Sequence, residues 1–308
     1  MKMLSFILLG IFLNYTHAQI TTEFCNLNLQ TNSYIPVIPV TGSFRILVVL
    51  SKFQDDNFNK SPQTNLWPSS LNSMPSWAQL LVSQSIQSNY PDPTLSGYFQ
   101  DMSQNQFNII GDVVFYQPIH EESYYFISSG KHIGYLTAEI LTGINQNVNY
   151  ANYDNWDPED YDSDGIKNEP DGKVDFIAIC FRFANTLQLD GSGYAGIAGL
   201  TGFRQNFGSY GDQLVLDGKI ILASNLLGGL SSGTFQSNII SLDQSLHIMA
   251  HELGHYLFGT IHYEGVGNHG LMDGQGTGVM SSFERIRMNW LQPINISGDS
   301  LNTNIPPI

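Results

Sequence analysis

One short string constrains this 308-residue chain more than any other feature: His251-Glu252-Leu253-Gly254-His255, an H-E-x-x-H box. Its chemistry requires a helix, because residues four apart on a helix lie one above the other on the same face. His251 and His255 can then offer two imidazoles to one metal ion. Glu252, turned about 100° from His251, can reach a water on that metal without ligating it. Two nitrogen ligands, an open coordination position and a carboxylate base are what zinc-assisted hydrolysis needs. The bland reading is a chance string on a soluble helix. In a chain with only 8 histidines that accident has a probability on the order of one per cent.

The surroundings supply the helix. Leu246, Met249, Ala250, Leu253 and Leu257 form an apolar stripe of helical period. Ser241 with Gln244 reads as a capping box, and Gly259 stops the helix where a left-handed residue turns the chain. That turn can bring His262 back as a third ligand. Glu264 and His269 remain the alternatives for that place, because the usual H-E-x-x-H-x-x-G-x-x-H spacing would put Gly and His one residue earlier. His247, one turn before His251, is read as a packed residue outside the ligand set. Met272, in the glycine-flanked segment Asn268 to Gly274, is the candidate for a methionine turn beneath the metal, with Met280 second. An ordinary buried methionine is the competing reading.

With these residues the chain resembles the secreted metallopeptidases of the immune inhibitor A type, which are zincins of metzincin-like character. The likeness extends over most of residues 44 to 292. Phe44 to Phe53 resembles the family's first strand, and Gly97 to Ser103 continuing to Gly111 its "YF-x-x-x-S-x-x-x-F-x-x-x-G" segment. Asp162 to Gly165 and Gly172 to Phe176 resemble its aspartate-rich stretch ahead of a buried strand. Ser282-Phe283-Glu284-Arg285 with Asn289-Trp290-Leu291 resembles the helix after the methionine turn, with Asn289 in place of the usual Gly. Only the box is highly specific, and the softer motifs gain weight from their order. The chain departs from the pattern in its shifted third histidine and in the short region ahead of the first strand.

The resemblance implies an α/β (α+β) zincin, with a mixed sheet, an active-site helix and a smaller loop-rich C-terminal lobe. The expected organisation is a signal peptide over 1–18, an N-terminal arm over 19–42 and a catalytic domain over 43–308, whose two lobes meet near residue 259. Met1 to Ala18 has a charged start at Lys2, an apolar run from Met3 to Leu13 and a small-residue site at Thr16-His17-Ala18. Cleavage between Ala18 and Gln19 with export is therefore expected. The apolar run is too short to span a membrane. A net charge of −15 argues against nucleic acid as a partner. Cys25 and Cys180 could pair in an oxidising compartment, or Cys180 could be an inert buried thiol.

Along the chain, Phe44 to Leu50 and Val174 to Phe183 are apolar runs suited to strands buried on both faces. Trp77 to Ile86, Leu95 to Met102 and Ile133 to Ile144 have helical spacing. Phe107 to Phe115 alternates towards strand, with Gly111-Asp112 expected as a bend. Leu214 to Leu216 and Ile220 to Leu222 are expected to pair as a hairpin through Asp217-Gly218. Gly191-x-Gly193-x-x-Gly196 matches a dinucleotide fingerprint by string, but Gly199 and Gly202 prevent the helix that a pyrophosphate needs. That stretch is read as a flexible loop near the cleft.

Asp160, Asp162, Asp164 and Asp171 have the spacing of a calcium loop around Gly165. The twelfth position is Asp rather than Glu and a strand follows it, so a structural calcium loop without EF-hand geometry is expected. The competing reading is a solvated acidic turn. The function expected is a secreted zinc endopeptidase acting on proteins or peptides. His251, His255 and His262 would be zinc ligands, Glu252 the general base, and Tyr263 a candidate oxyanion donor. The rivals are a non-enzymatic surface or adhesion module with structural zinc or calcium, and a zinc hydrolase acting on something other than peptides.

Overall fold

The computed structural model describes residues 40–57, 67–83, 94–191, 196–197, 206–223, 229–234, 242–258, 270–272 and 279–292. Its strands are β1 (Gly42–Ser51), β2 (Phe107–Tyr116), β3 (Phe176–Phe181), β4 (Gly196–Ile197), β5 (Gln213–Leu216), β6 (Lys219–Leu222) and β7 (Gly229–Thr234). Its helices are α1 (Leu95–Met102), α2 (Ile133–Ile144), the single turn α3 (Thr186–Leu189), α4 (Leu242–Phe258) and α5 (Ser282–Arg287). The main sheet has the order β2-β1-β3-β7-β4. Its first four strands run parallel, and β4 lies antiparallel on the β7 edge. β5 and β6 form the separate hairpin read from the sequence.

A parallel sheet is covered on both faces, so its strands are apolar on both. From Ile46 to Leu50 every residue of β1 is fully buried, and β3 is buried throughout. Leu47 and Val49 of β1, with Ile177 and Ile179 of β3, join a core with Leu136, Ile140 and Leu141 of α2. Phe44 has the opposite parity along β1 and stacks on Tyr256 of α4, with ring centroids 5.3 Å apart. The α4 helix thus covers the face opposite α2. It also touches α1, β7 and β4. Thr94 caps α1 by accepting from Gly97 N at 2.9 Å. His132 Nδ1 does the same for Gly134 N at the start of α2.

Several expectations are corrected. β2 runs in unbroken register with β1, so Gly111-Asp112 is not a bend. Glycine is needed there because β2 approaches Ile46 so closely that a Cβ would lie 1.9 Å from its carbonyl oxygen. Among the described residues of the stretch from Trp77, the helical structure is a 3₁₀ turn at Ala78–Val82, and residues 84–86 lie outside the described residues. Gly196-Ile197 is an edge strand rather than loop, while Gly193, Gly199 and Gly202 lie outside the described residues. β7 went unread, since GLSSGT carries no β-branched or aromatic run.

Charged groups flank β3. Just past its end, the buried Arg182 pairs with Asp56 at 2.6 Å and donates from Nε to the Trp67 carbonyl at 2.7 Å. Just before its start, Asp175 accepts from Asn155 N at 2.6 Å and from the Tyr256 hydroxyl at 3.2 Å. Cys180 is a buried free thiol in β3, its pKa pushed up by burial, and Cys25 lies outside the described residues. Among the described residues no helix is long and apolar enough to cross a membrane.

Candidate metal centre

The α4 helix carries the box, and its stripe of Leu246, Met249, Ala250, Leu253 and Leu257 is buried as the periodicity requires. Ser241 and Gly259, read as its cap and stop, lie outside the described residues. His251 and His255 present their rings together, with centroids 4.9 Å apart and planes crossed at 86°. The Nδ1 atom of His251 lies 2.5 Å from the Leu271 carbonyl. A carbonyl only accepts, so Nδ1 carries the proton and Nε2 keeps the lone pair a metal needs. Glu252 follows His251 in sequence and is buried, and its Oε2 has no hydrogen-bond partner among the described residues. Burial pushes its carboxyl pKa up to about 8. Two neighbouring imidazoles set edge to face, and on the residue between them in the box a buried carboxyl group with an oxygen unpaired among the described residues, fit a divalent zinc ion with an open position.

Beneath the box lies the segment Gly270-Leu271-Met272, with both Leu271 and Met272 fully buried. A Cβ on Gly254 would lie 2.3 Å from Met272 Sδ and 3.3 Å from Leu271 Cδ2. The glycine inside the box therefore lets this segment reach the helix backbone. Met280, the second choice, is buried just ahead of α5. His262, Glu264, His269 and Tyr263 lie outside the described residues.

Glu284 was not singled out by its own chemistry in the sequence, yet it is fully buried against this segment. Its Oε1 accepts from Met272 N at 2.7 Å, and its Oε2 accepts from Leu271 N at 3.0 Å and Ser281 N at 2.6 Å. Ser281 with Glu284 also closes a capping box at the start of α5. The readable signals were that S-x-x-E spacing and the place of Glu284 in the segment that resembles the family's helix after the methionine turn.

In the acidic loop, carboxylate oxygens of Asp160, Asp162 and Asp164 come within 4.8 Å of one another, and so do those of Asp157, Asp162 and Glu169. Positive φ angles at Asp160 (51°), Ser163 (61°) and Gly165 (84°) curl the chain so that alternate side chains converge. Asp171, included by its spacing, stands apart. Lys173 engages it through its backbone N–H at 2.8 Å and its ammonium at 3.2 Å. Asp157 was missed because it precedes the twelve-residue frame. It is buried, and its Oδ1 has no partner among the described residues.

Residues 41–282 match the family described as immune inhibitor A peptidase M6, catalytic domain. Two curated relatives, each a pre-pro-metalloprotease PrtV, come from Vibrio cholerae serotype O1, strains M66-2 and ATCC 39315 / El Tor Inaba N16961. Each is 29% identical over 170 residues, which is 52% of this chain. The chain spans only 18% of the length of these relatives.

Proposed function

The chain belongs to the immune inhibitor A peptidase M6 family through its catalytic domain, and from that premise we propose that it is a zinc-dependent endopeptidase of zincin architecture acting on protein or peptide substrates. The observation that carries this reading is the close edge-to-face pair of imidazoles of His251 and His255 on α4, with the buried Glu252 on the same helix. Bound zinc would polarise a scissile carbonyl and make a water molecule more acidic. His251 and His255 would hold the ion through ring nitrogens, with His262 as third ligand. Glu252 takes the proton from the attacking water and returns it to the leaving amine. β4, the edge strand of the sheet among the described residues and in contact with α4, supports an extended peptide as substrate, since an edge strand can pair with added backbone.

The test is hydrolysis of an unfolded protein by the zinc-loaded chain beside Glu252→Ala. We expect the substitution to slow cleavage about 10²–10⁴-fold while zinc stays bound. If both forms hold zinc and neither cuts, the adhesion-module or non-peptide hydrolase reading takes its place.

The remaining organisation belongs to the same proposal. Residues 1–18 act as a signal peptide cleaved near Gln19, 19–42 form an arm, and 43–308 form the catalytic domain of an exported enzyme. The "pre-pro" in the name of the Vibrio relatives supports export. The acidic loop holds a structural calcium through Asp160, Asp162 and Asp164, joined by Asp157 and Glu169 in place of Asp171. The buried Asp157 carboxylate supports this, because a cation removes the cost of an unpaired charge. Calcium should raise the melting temperature of the wild-type chain and not that of Asp162→Asn. Equal response, or none in either, sinks the calcium site.

A further inference from the structure

We propose that Glu284 is a positioning residue for the metal centre, acting through the Leu271 carbonyl to fix the tautomer and orientation of His251. This rests on the zinc reading of the box. A six-residue helix such as α5 needs one cap, but the Glu284 carboxylate does more than cap it. Its two oxygens bind the backbone N–H groups of both Leu271 and Met272, 13 and 12 residues away in sequence. The same Leu271 turns its carbonyl to His251 Nδ1 at 2.5 Å. A buried carboxylate on α5 and a ring on α4 are thus joined through a single peptide group. No flexible side chain intervenes, so a shift of the carboxylate is passed on to the ring.

α5 is itself held. Arg285 donates from Nε to the Met102 carbonyl at the end of α1, at 2.8 Å. The Trp290 indole N–H reaches the Val40 carbonyl at 2.6 Å, and Gln106 Nε2 reaches the Trp290 carbonyl at 3.2 Å. The carboxylate therefore works from a fixed base. The neighbouring Tyr98 phenol, its pKa raised by burial first and by the Glu284 charge second, marks a dry setting in which such hydrogen bonds are strong.

The chemistry demands a carboxylate at this position. Oε2 takes Leu271 N, Ser281 N and the Ser281 hydroxyl, and Oε1 takes Met272 N. Glutamine has one acceptor oxygen and one donor NH2. In either orientation its NH2 faces a backbone N–H, so the segment that carries Leu271 must move. Ser281→Ala removes the capping hydroxyl and leaves the carboxylate on Leu271 and Met272, so it separates helix capping from positioning.

The experiment compares wild type, Glu284→Gln, Glu284→Asp and Ser281→Ala as full chains. Zinc affinity is read by competition with a chromogenic chelator. The histidine tautomers of the zinc-free chains are read by ¹⁵N NMR. We expect Glu284→Gln to weaken zinc about tenfold or more, in the range for residues that orient a ligand, and to convert His251 from the Nδ1–H form to a mixture. Glu284→Asp should fall between Glu284→Gln and wild type. Ser281→Ala should lower the melting temperature without changing either readout. If Glu284→Gln and Glu284→Asp lose stability but keep wild-type zinc affinity and tautomer, Glu284 is only a cap and the proposal is overturned. A wild-type chain that holds no zinc would overturn the zinc reading of the box. The tautomer comparison then still decides the role of Glu284.

Discussion

Gly254→Ala is the sharpest test of how the box is seated. In an exposed helix interior this change stabilises by about 1 kcal/mol, because alanine loses less backbone freedom on folding. Here the new Cβ would sit 2.3 Å from Met272 Sδ, more than 1 Å inside ordinary contact at 3.4–4 Å. Met272 is fully buried and cannot swing into solvent. Overpacking of this kind costs about 1–3 kcal/mol, so the helix gain is cancelled or reversed, for a net loss of about 0–2 kcal/mol. At roughly 2–4 °C per kcal/mol, the melting temperature should stay level or fall by a few degrees. Met272→Ala alone opens a cavity and should cost about 2–5 kcal/mol. Combined with Gly254→Ala it gives the new methyl room, so the double variant should beat additivity by about 1–2 kcal/mol. Urea melts of the four chains measure that coupling. A Gly254→Ala chain stabilised by the full helix increment, with strictly additive behaviour beside Met272→Ala, would refute the close packing of Met272 on α4.

Two further outcomes follow from the sheet and its flank. Gly111→Ala sets a Cβ 1.9 Å from the Ile46 carbonyl oxygen, so β2 must part from β1 locally. The loss of one or two ladder hydrogen bonds with backbone strain costs about 3–5 kcal/mol, and a urea midpoint equal to wild type would contradict the register. Glu122, whose carboxylate accepts from Asn185 N at 2.5 Å, has its pKa pushed up to about 7, first by burial and then by Asp55 and Asp56. The folded chain therefore holds that proton more tightly than the unfolded one. The resulting stability is present below about pH 4.5 and is lost as pH rises through about 7, on the order of 1–3 kcal/mol once partial solvent exposure is allowed for. Glu122→Gln should flatten that part of the stability profile between pH 4.5 and 8. An unchanged slope would mean the carboxylate titrates as it does in water.

What the sequence made legible was whatever local periodicity and capping control. The bounds of α1 and α2 coincide with their apolar spacing because Thr94 and His132 supply caps where the stripes begin. The buried face of α4 follows from five apolar residues in helical register. β7 was illegible because its strand character comes from pairing with β3, not from its own residues. Asp157 and Glu169 were missed because a linear frame counts positions, whereas the curled loop brings in Asp157 from ahead of the frame and Glu169 from a place within it that the calcium-loop pattern does not count. Glu284 hid for a related reason: its capping partner is three residues away, but its reach to Leu271 is a tertiary contact.

The flanks of β3 have a consequence for how the sheet finds its alignment. A hairpin sets strand pairing through its turn, but parallel neighbours share no such turn, and a slip of one residue would exchange every inward and outward side chain. β3 is pegged at both extremities, by Asp175 to Asn155 and Tyr256 and by Arg182 to Asp56 and Trp67. Sliding it by one position would draw both pegs out of their sockets at once and strand a buried carboxyl group and a guanidinium without these partners. The middle strand thus acts as a key with teeth at either end, and it admits one alignment of the strands beside the helix that bears His251 and His255.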